Sequence, residues 1–371
     1  MEIKKVVVTS KPLFIYRHQG LFKALSSHFD SLECIKTGDI HSSKIIRKIM
    51  EFFYCINHQI PFSQGEDFYK TSQAFIKASK ETEKKIKQLK YTPDLIFHVF
   101  STCCPFWETS DIPYVMYLDY TMAVAAKNYQ PWNPFKTHQE LLSWLECEKK
   151  AYKQAKHIFT MSPLIKSSLI EDYGIQPEQI TAVGASGNFD EPYQGEKTFG
   201  SKQILFNGSD FERKGGELVL AAFQKVRQTI PDVRLVVIGR KINSSIDGVD
   251  NPGTISSASE LKNIFLQSDL VIAPASCEPF GVFLVEAMNY GVPCIVSANN
   301  ANGITEFLHD GIDSIITYQP TADILANHII NLFKNTDLLG SMSQAARENV
   351  RTTLNWNNIA KNISKVLCTE I

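Results

Sequence analysis

The chain has 371 residues, enough for roughly two domains. Its 44% hydrophobic and 21% charged residues are typical of a soluble globular protein, and a net charge of −1 argues against a dedicated nucleic-acid surface. No apolar run reaches the ~18 residues that a membrane span needs. The eight cysteines form no C-x-x-C pair and no framework spacing, so we expect a reduced, cytoplasmic compartment.

Short apolar runs alternate with longer helical patterns along the whole chain. This alternation predicts an α/β protein with parallel sheets built from βαβ units. The segment 184–200 is rich in Gly, Ser, Asn and Pro and predicts a linker, and an amphipathic helix is expected after Trp356. The predicted strands are 6–8, 95–100, 114–118, 157–161 and 180–183 in the first half, and 203–206, 234–238, 270–273, 293–296 and 314–316 in the second.

Residues 42–56 form a basic, strongly apolar helical stretch. Ile45, Ile49 and the Phe52-Phe53 pair fall near one predicted face, with cations along its edge. Such a helix can lie on an anionic membrane. The alternative, which we favour from sequence, is that the apolar face packs on the sheet while the basic edge meets water.

The most informative segment is 278–286, Glu-Pro-Phe-Gly-Val-Phe-Leu-Val-Glu. It follows an apolar run, and Gly281 opens a helical pattern that closes at Gly291. A helix N-terminus after a strand is a ready anion site, and in open α/β sheets such turns lie where ligands bind. Glu278 and Glu286 would then hold hydroxyls on either side of a bound phosphate, which indicates a sugar nucleotide.

The second half resembles the nucleotide-binding domain of family 4 glycosyltransferases, which have the GT-B architecture. The resemblance rests on ordered motifs over roughly 150 residues, far more than a lone motif. It implies two Rossmann-like domains that face each other across a cleft: 1–187 on the acceptor side, 188–354 for the nucleotide sugar, and a C-terminal helix, 355–371, that crosses back to the first. The matching pieces are 206–208, 211–216, 237–239, 268–270, 278–286, 291–293 and Trp356.

The resemblance also implies roles for individual residues. Lys214 is expected on the distal phosphate, Glu286 on the ribose hydroxyls and Glu278 near the transferred sugar. Relatives usually carry an Arg where this chain has Ser209, and Arg213 is the candidate to supply that charge. The donor-binding set is Gly208, Ser209, Arg213, Lys214, Gly215, Glu278, Phe280, Gly281, Val282, Phe283 and Glu286.

The resemblance to the family is weaker on the acceptor side, in the first half of the chain. Relatives often have a glycine pair in the first loop, where this chain keeps only Gly20, expected to precede a helix. Arg17 and His18 in that loop face a ligand or solvent, and both alternatives stay open. Asp119 ends the strand 114–118 and is a candidate to position an acceptor hydroxyl or take its proton, or else to cap the next helix.

These residues predict a glycosyltransferase that moves a hexose-type sugar from a nucleoside-diphosphate sugar to a hydroxyl of a glycan, a lipid-linked or a small-molecule acceptor. That the transfer retains the anomeric configuration is implied by the resemblance alone. Glu278, Asp119 and Lys214 are the catalytic candidates. The chain offers no Asp-x-Asp between apolar runs, so we expect no metal and no cofactor. The alternatives are a GT-B-like sugar-nucleotide epimerase and a degenerate, non-catalytic GT-B subunit. The donor base, the sugar and the acceptor stay open, as does peripheral membrane contact through 42–56.

Overall fold

The computed structural model describes residues 3–38, 44–59, 68–108, 110–299 and 301–370. The chain divides into two compact units. Unit 1 contains the residues up to Val183 together with those from Ala360 on, and unit 2 contains Gly184–Ile359. The breaks fall four and five residues from the predicted boundaries after 187 and 354.

Unit 1 is built on a six-stranded parallel sheet of order β2-β1-β3-β4-β5-β6. Its core joins the buried sides of these strands to apolar residues of α4, α6 and α7, such as Phe75, Trp144 and Leu169. The strands are β1 (Lys5–Ser10), β2 (Ser31–Lys36), β3 (Leu95–Val99), β4 (Tyr114–Leu118), β5 (His157–Thr160) and β6 (Ile180–Ala182), and the helices are α1 (Pro12–Arg17), α2 (Gln19–Ser26), α3 (Lys44–His58), α4 (Ser72–Lys87), α5 (Met122–Asn128), α6 (His138–Gln154) and α7 (Pro163–Glu171).

Unit 2 has a second six-stranded parallel sheet, of order β12-β11-β10-β7-β8-β9. Its core packs Phe206, Val237 and Ile272 of the sheet against Phe223 of α8 and Ile329 of α11. The strands are β7 (Gln203–Asn207), β8 (Arg234–Ile238), β9 (Val249–Gly253), β10 (Leu270–Ala273), β11 (Cys294–Ala298) and β12 (Ser314–Tyr318), and the helices are α8 (Gly216–Thr229), α9 (Ala258–Gln267), α10 (Val282–Asn289), α11 (Ala322–Phe333) and α12 (Thr336–Thr352). The last helix, α13 (Trp356–Glu370), begins in unit 2 and belongs to unit 1 from Ala360 on.

The predicted α/β class with parallel sheets is confirmed, but the predicted first loop is wrong. Pro12–Arg17 forms α1, and Gly20 lies inside α2 instead of preceding it. Pro12 at the first helical position favours this early start, because its fixed φ suits the first turn and its missing N–H costs nothing there.

The expectation that the apolar face of 42–56 packs on the sheet is also wrong for the part described, α3. Its large apolar side chains, among them Ile45 and Phe53, are exposed. Residues 42 and 43 lie outside the described residues. The described part of the chain contains no helix long and apolar enough to cross a membrane.

The strand order of unit 2 determines which of its strand-end loops meet. The chain leaves β7 toward β8 and β9, then returns to place β10 on the other side of β7. The loops after β7 and β10 therefore start from adjacent carboxyl ends, the position where open α/β sheets bind ligands. These loops touch, since Ser276 N–H donates to the Arg213 carbonyl at 2.9 Å.

Gly215 makes this close approach feasible. It is the N-cap of α8 with φ +78°, a left-handed conformation that L side chains rarely adopt. A Cβ on Gly215 would lie 2.7 Å from the carbonyl oxygen of Pro274, on the loop after β10. The two loops are thus held at a distance that only glycine permits.

A buried carboxyl group ties together several elements of unit 1. Glu148 of α6 accepts hydrogen bonds from Ser101 Oγ at 2.9 Å, from Met122 N–H at 3.3 Å and from the Tyr173 hydroxyl. Burial raises the pKa of Glu148 to about 7, against the lowering effect of these hydrogen bonds. The carboxyl group therefore binds its proton more tightly in the folded protein than in the unfolded chain.

We expect Gly215→Ala to lower the free energy of unfolding by about 1–3 kcal/mol, because it combines a left-handed backbone with a collision against a carbonyl. Gly340→Ala is the matched control: Gly340 lies in α12, and an added Cβ would meet no atom within 4 Å. That variant should be neutral or more stable. Urea unfolding compares the two, and equal stability would contradict the close approach.

The Glu148 carboxyl group predicts a pH dependence of unfolding. Its pKa is raised from 4.5 to about 7 on folding, so its stabilising contribution is largest at low pH and is lost as the pH rises to about 7. Between about pH 5 and pH 8 the wild type should lose up to about 2–3 kcal/mol more than Glu148→Gln, which has no such titration. Urea unfolding at both pH values measures this difference, and parallel pH profiles would rule it out.

Candidate functional site

Lys214 and Glu278 form an ion pair between the two touching loops of unit 2. Lys214 follows β7, Glu278 follows β10, and Lys214 Nζ lies 3.0 Å from Glu278 Oε2. Their side chains keep 15% and 18% of their exposure, so the pair is partly shielded but reachable. The structure thus brings together two residues that the sequence places 64 positions apart.

Arg213 lies beside this pair and is buried. Its Nε donates to Asp210 Oδ2 at 2.6 Å, and its Nη1 donates to the Cys277 carbonyl and lies 3.4 Å from Glu278 Oε2. Arg213 therefore holds the loop after β10 and its carboxylate. At Ser209, where relatives carry Arg, the backbone N–H donates to Asn207 Oδ1 at 3.1 Å, and the preceding Gly208 N–H donates to the Ile238 carbonyl.

The N-terminus of α10 lies next to Glu278. Gly281 is its N-cap with φ +92°, and a Cβ on Gly281 would lie 3.5 Å from Glu278 Cγ. The first helical residues, Val282 and Phe283, direct their N–H groups out of the helix end, which carries a partial positive charge. Phe280 anchors the turn by packing edge-on against Phe307. A carboxylate, a lysine and a helix N-terminus thus meet at one place.

Glu286 lies one turn further along α10 and is buried. Asn188 donates to its Oε1 twice, from the backbone N–H at 2.9 Å and from Nδ2 at 2.7 Å. Burial raises the pKa of Glu286, while the bonds from Asn188 lower it. Both of these hydrogen bonds fall on Oε1, so Asn188 leaves Oε2 to other groups.

Asn188 is a site residue that sequence reasoning missed. It belongs to the predicted linker, which has no periodic pattern and therefore gives no sign of a specific contact. The linker backbone also comes close to the same carboxylate, since a Cβ on Gly187 would lie 2.6 Å from Glu286 Cγ. The Gly187 carbonyl accepts a hydrogen bond from Trp356 Nε1 at 3.0 Å, which links the late Trp to this site.

The candidates in unit 1 lie near the carboxyl ends of its strands. His18 is buried, its ring meets those of Phe100 and Tyr117 edge-on, and its Nδ1–H donates to the Phe14 carbonyl at 2.8 Å. Burial lowers the pKa of His18 to about 4, so it is neutral at pH 7 and provides no cation. Arg17 is exposed at the end of α1.

Asp119 directly follows β4 and is half-buried. Burial, and after it the charge of Asp119, raises the pKa of Tyr117. The alternative that Asp119 caps the next helix is wrong, because Thr121 caps α5 by accepting from Val124 N–H at 3.3 Å. Asp119 is thus a strand-end carboxylate without a capping role.

Comparisons with known proteins place the site within a region that matches a known family. The family model for group 1 glycosyl transferases matches residues 190–349, which include Arg213, Lys214, Glu278 and Glu286. A phosphatidyl-myo-inositol mannosyltransferase from Propionibacterium freudenreichii is 44% identical over 99 residues, 26% of this chain and 25% of the relative. Across the first three curated relatives, the matches span between a quarter and about half of each relative's length.

Solved structures match almost the whole chain. Sucrose-phosphate synthase from Thermosynechococcus elongatus has a TM-score of 0.69 at 17% identity and covers 98% of both chains. HepE from Anabaena, solved with UDP and glucose, has a TM-score of 0.63 at 15% identity and covers 99% of this chain and 100% of its own. The family match shows a group 1 glycosyl transferase region at 190–349, and the similarity to these solved structures shows that the chain has the GT-B fold.

Proposed function

We propose that this protein is a retaining, metal-independent glycosyltransferase that moves a hexose-type sugar from a nucleoside-diphosphate sugar to an acceptor hydroxyl. The observation that carries the proposal is the Lys214–Glu278 pair at the N-terminus of α10, inside the region that matches the group 1 family. Retention of the anomeric configuration rests on the resemblance to family 4 and is part of the proposal.

The chemistry requires charge stabilisation at the diphosphate. As the glycosidic bond breaks, negative charge grows on the leaving group, and groups already aimed at that position lower the barrier. We assign this task to Lys214 Nζ and to the N–H groups at the start of α10, with Arg213 close behind. These groups provide positive charge without a divalent cation, which is the basis for proposing metal independence.

Glu278 is assigned to the hydroxyls of the transferred sugar. Its Oε2 lies 3.0 Å from Lys214 Nζ and 3.4 Å from Arg213 Nη1. A bound diphosphate would attract Lys214, and Glu278 would stay paired with Arg213 while accepting from sugar hydroxyls. Charged hydrogen bonds of this kind are roughly twice as strong as neutral ones.

Glu286 is assigned to the ribose hydroxyls. Asn188 holds the carboxylate through Oε1, and two vicinal hydroxyls suit the remaining acceptor positions of an ionised carboxylate. Because burial already raises the pKa of Glu286, two donated hydroxyl hydrogen bonds would compensate for its desolvation.

The acceptor is assigned only as a hydroxyl of a glycan, a lipid-linked sugar or a small molecule, and we propose a cytoplasmic location. Asp119 is the candidate to position that hydroxyl or to take its proton, since it lies at the carboxyl end of β4. HepE was solved with UDP and glucose, which makes UDP a first choice among donor bases for testing.

The first prediction concerns nucleotide binding. UDP, GDP or ADP should raise the melting temperature in a concentration-dependent way, and UMP should do so less because it lacks the second phosphate. Glu286→Gln should reduce the shift strongly, since a neutral amide replaces the ribose-binding carboxylate. The matched control is Glu260→Gln, an exposed Glu on α9 in the same unit.

Two results of this experiment would count against the proposal. If none of the nucleoside diphosphates changes the melting temperature, the donor site is not where we place it. If Glu286→Gln keeps the full shift, the ribose assignment is wrong even when nucleotides bind.

The second prediction concerns turnover, measured as release of nucleoside diphosphate from the nucleotide sugar whose base stabilises best. Lys214→Ala and Glu278→Gln should each lower kcat by about 10²–10³-fold, as expected when a group that stabilises the transition state is lost. Lys225→Ala is the control, because this exposed α8 lysine pairs only at the surface with Asp323. EDTA should leave the wild-type rate unchanged.

The same assay separates the alternatives. If the protein converts the donor into an epimeric nucleotide sugar, the transferase assignment is wrong and the protein is an epimerase. Nucleotide binding without any turnover, across hydrolysis and transfer, would favour the non-catalytic subunit. A rate that EDTA abolishes would overturn metal independence.

A further inference from the structure

The α3 helix carries a continuous apolar face that points away from the protein. Ile45, Ile49, Phe52, Phe53 and Ile56 recur at helical spacing, and their exposed fractions run from 47% to 72%. A helix of a globular protein ordinarily turns such a face toward the core. Isolated exposed apolar residues need no explanation, but a contiguous set on one helix marks an interaction site.

The polar side of α3 faces the protein instead. The Arg47 guanidinium lies 5.6 Å from the centre of the Tyr69 ring, and the Tyr69 hydroxyl donates to Glu51 Oε1 at 3.2 Å. Cys55, on the same side, is buried. This orientation is anchored by specific contacts, so the outward apolar face is a feature of the folded unit 1.

A basic group accompanies the apolar face. Lys48 lines an open groove of about 670 Å³ together with Ile45, Ile49, Phe52 and Phe53. Its side chain is 85% exposed and lies 3.5 Å from Glu51. Arg47 lies on the opposite side of the helix, against Tyr69, so Lys48 is the cation beside the apolar face among the described side chains. The surface is therefore apolar at its centre and carries a positive group at its edge.

We propose that α3 docks unit 1 on an anionic lipid surface. A helix of 15 residues is ~22 Å long and lies in the plane of the bilayer, its apolar face at the acyl boundary and Lys48 among the headgroups. A second copy fits less well, since the groove that contains Lys48 is otherwise lined by apolar side chains, and the same face of another copy would offer Lys48 no carboxylate, whereas anionic headgroups supply that charge. This docking goes beyond the proposed transferase activity and does not depend on it.

The test is co-sedimentation of the full chain with vesicles of pure phosphatidylcholine and of phosphatidylcholine mixed with phosphatidylglycerol, without any nucleotide sugar. We expect binding to the anionic vesicles that weakens as salt is added. Ile49→Asp should lower the partition coefficient by roughly tenfold or more, because a charge replaces an inserted apolar side chain.

Two matched controls define the face. Ile312→Asp introduces the same charge at a 60% exposed isoleucine of unit 2 and should bind like the wild type. Lys48→Glu should reduce binding to anionic vesicles and Lys361→Glu, at an exposed α13 lysine with the same change in net charge, should not. Circular dichroism checks that each variant is folded.

The proposal fails if the wild type does not sediment with anionic vesicles, or if Ile49→Asp and Ile312→Asp bind equally. It also fails if analytical ultracentrifugation shows a dimer that Ile49→Asp dissociates, because the face then belongs to a second copy. In each case the nucleotide-induced thermal shift of the donor site is unaffected, so the transferase proposal is judged separately.

Discussion

The charge balance around Glu278 is the constraint on which the donor site depends. The carboxylate is partly buried and has two cationic neighbours, Lys214 at 3.0 Å and Arg213 at 3.4 Å. Removing every partner from a buried charge costs several kcal/mol. Because Arg213 is also fixed by Asp210 and the Cys277 carbonyl, it would stay beside Glu278 in the proposed mechanism, where Lys214 turns to a phosphate. The second cation would thus keep the carboxylate paired during that exchange of partners.

This arrangement exists only because of the order of the strands. β7 and β10 are neighbours in the sheet although α8, β8, β9 and α9 lie between them in the sequence. Gly215 lets the loop after β7 approach Pro274, on the loop after β10, within contact distance. The linker completes the site from a third direction through Asn188 and Glu286. A ligand in this site would therefore contact segments that are far apart in the sequence and come together only when unit 2 has folded.

Apolar periodicity predicted the strands that are buried in each sheet, with β4, β8 and β10 matching to the residue. It missed β2 and β9, and both are edge strands. β2 (Ser-Leu-Glu-Cys-Ile-Lys) mixes apolar with polar residues and has no fully buried residue, while β9 contains Asp, Asn, Pro and Gly, so neither gives an apolar run. Lys214, Glu278 and Glu286 were predicted from motifs, but the contact from Asn188 was not, because a linker residue acquires its partner only through tertiary structure.

The orientation of α3 was the other point that its own sequence left undetermined. An amphipathic pattern indicates that two faces differ, but it does not say which face the protein covers. The contacts of Tyr69 and the burial of Cys55 show which face is covered. The Arg47 guanidinium lies over the ring of Tyr69, and the Tyr69 hydroxyl donates to Glu51, so the polar face is turned inward. Exposing several large apolar side chains to water opposes this arrangement by about 25 cal/mol per Å² of apolar area. A surface that removes water from that face recovers this free energy, and a lipid surface of negative charge also satisfies Lys48 at its edge.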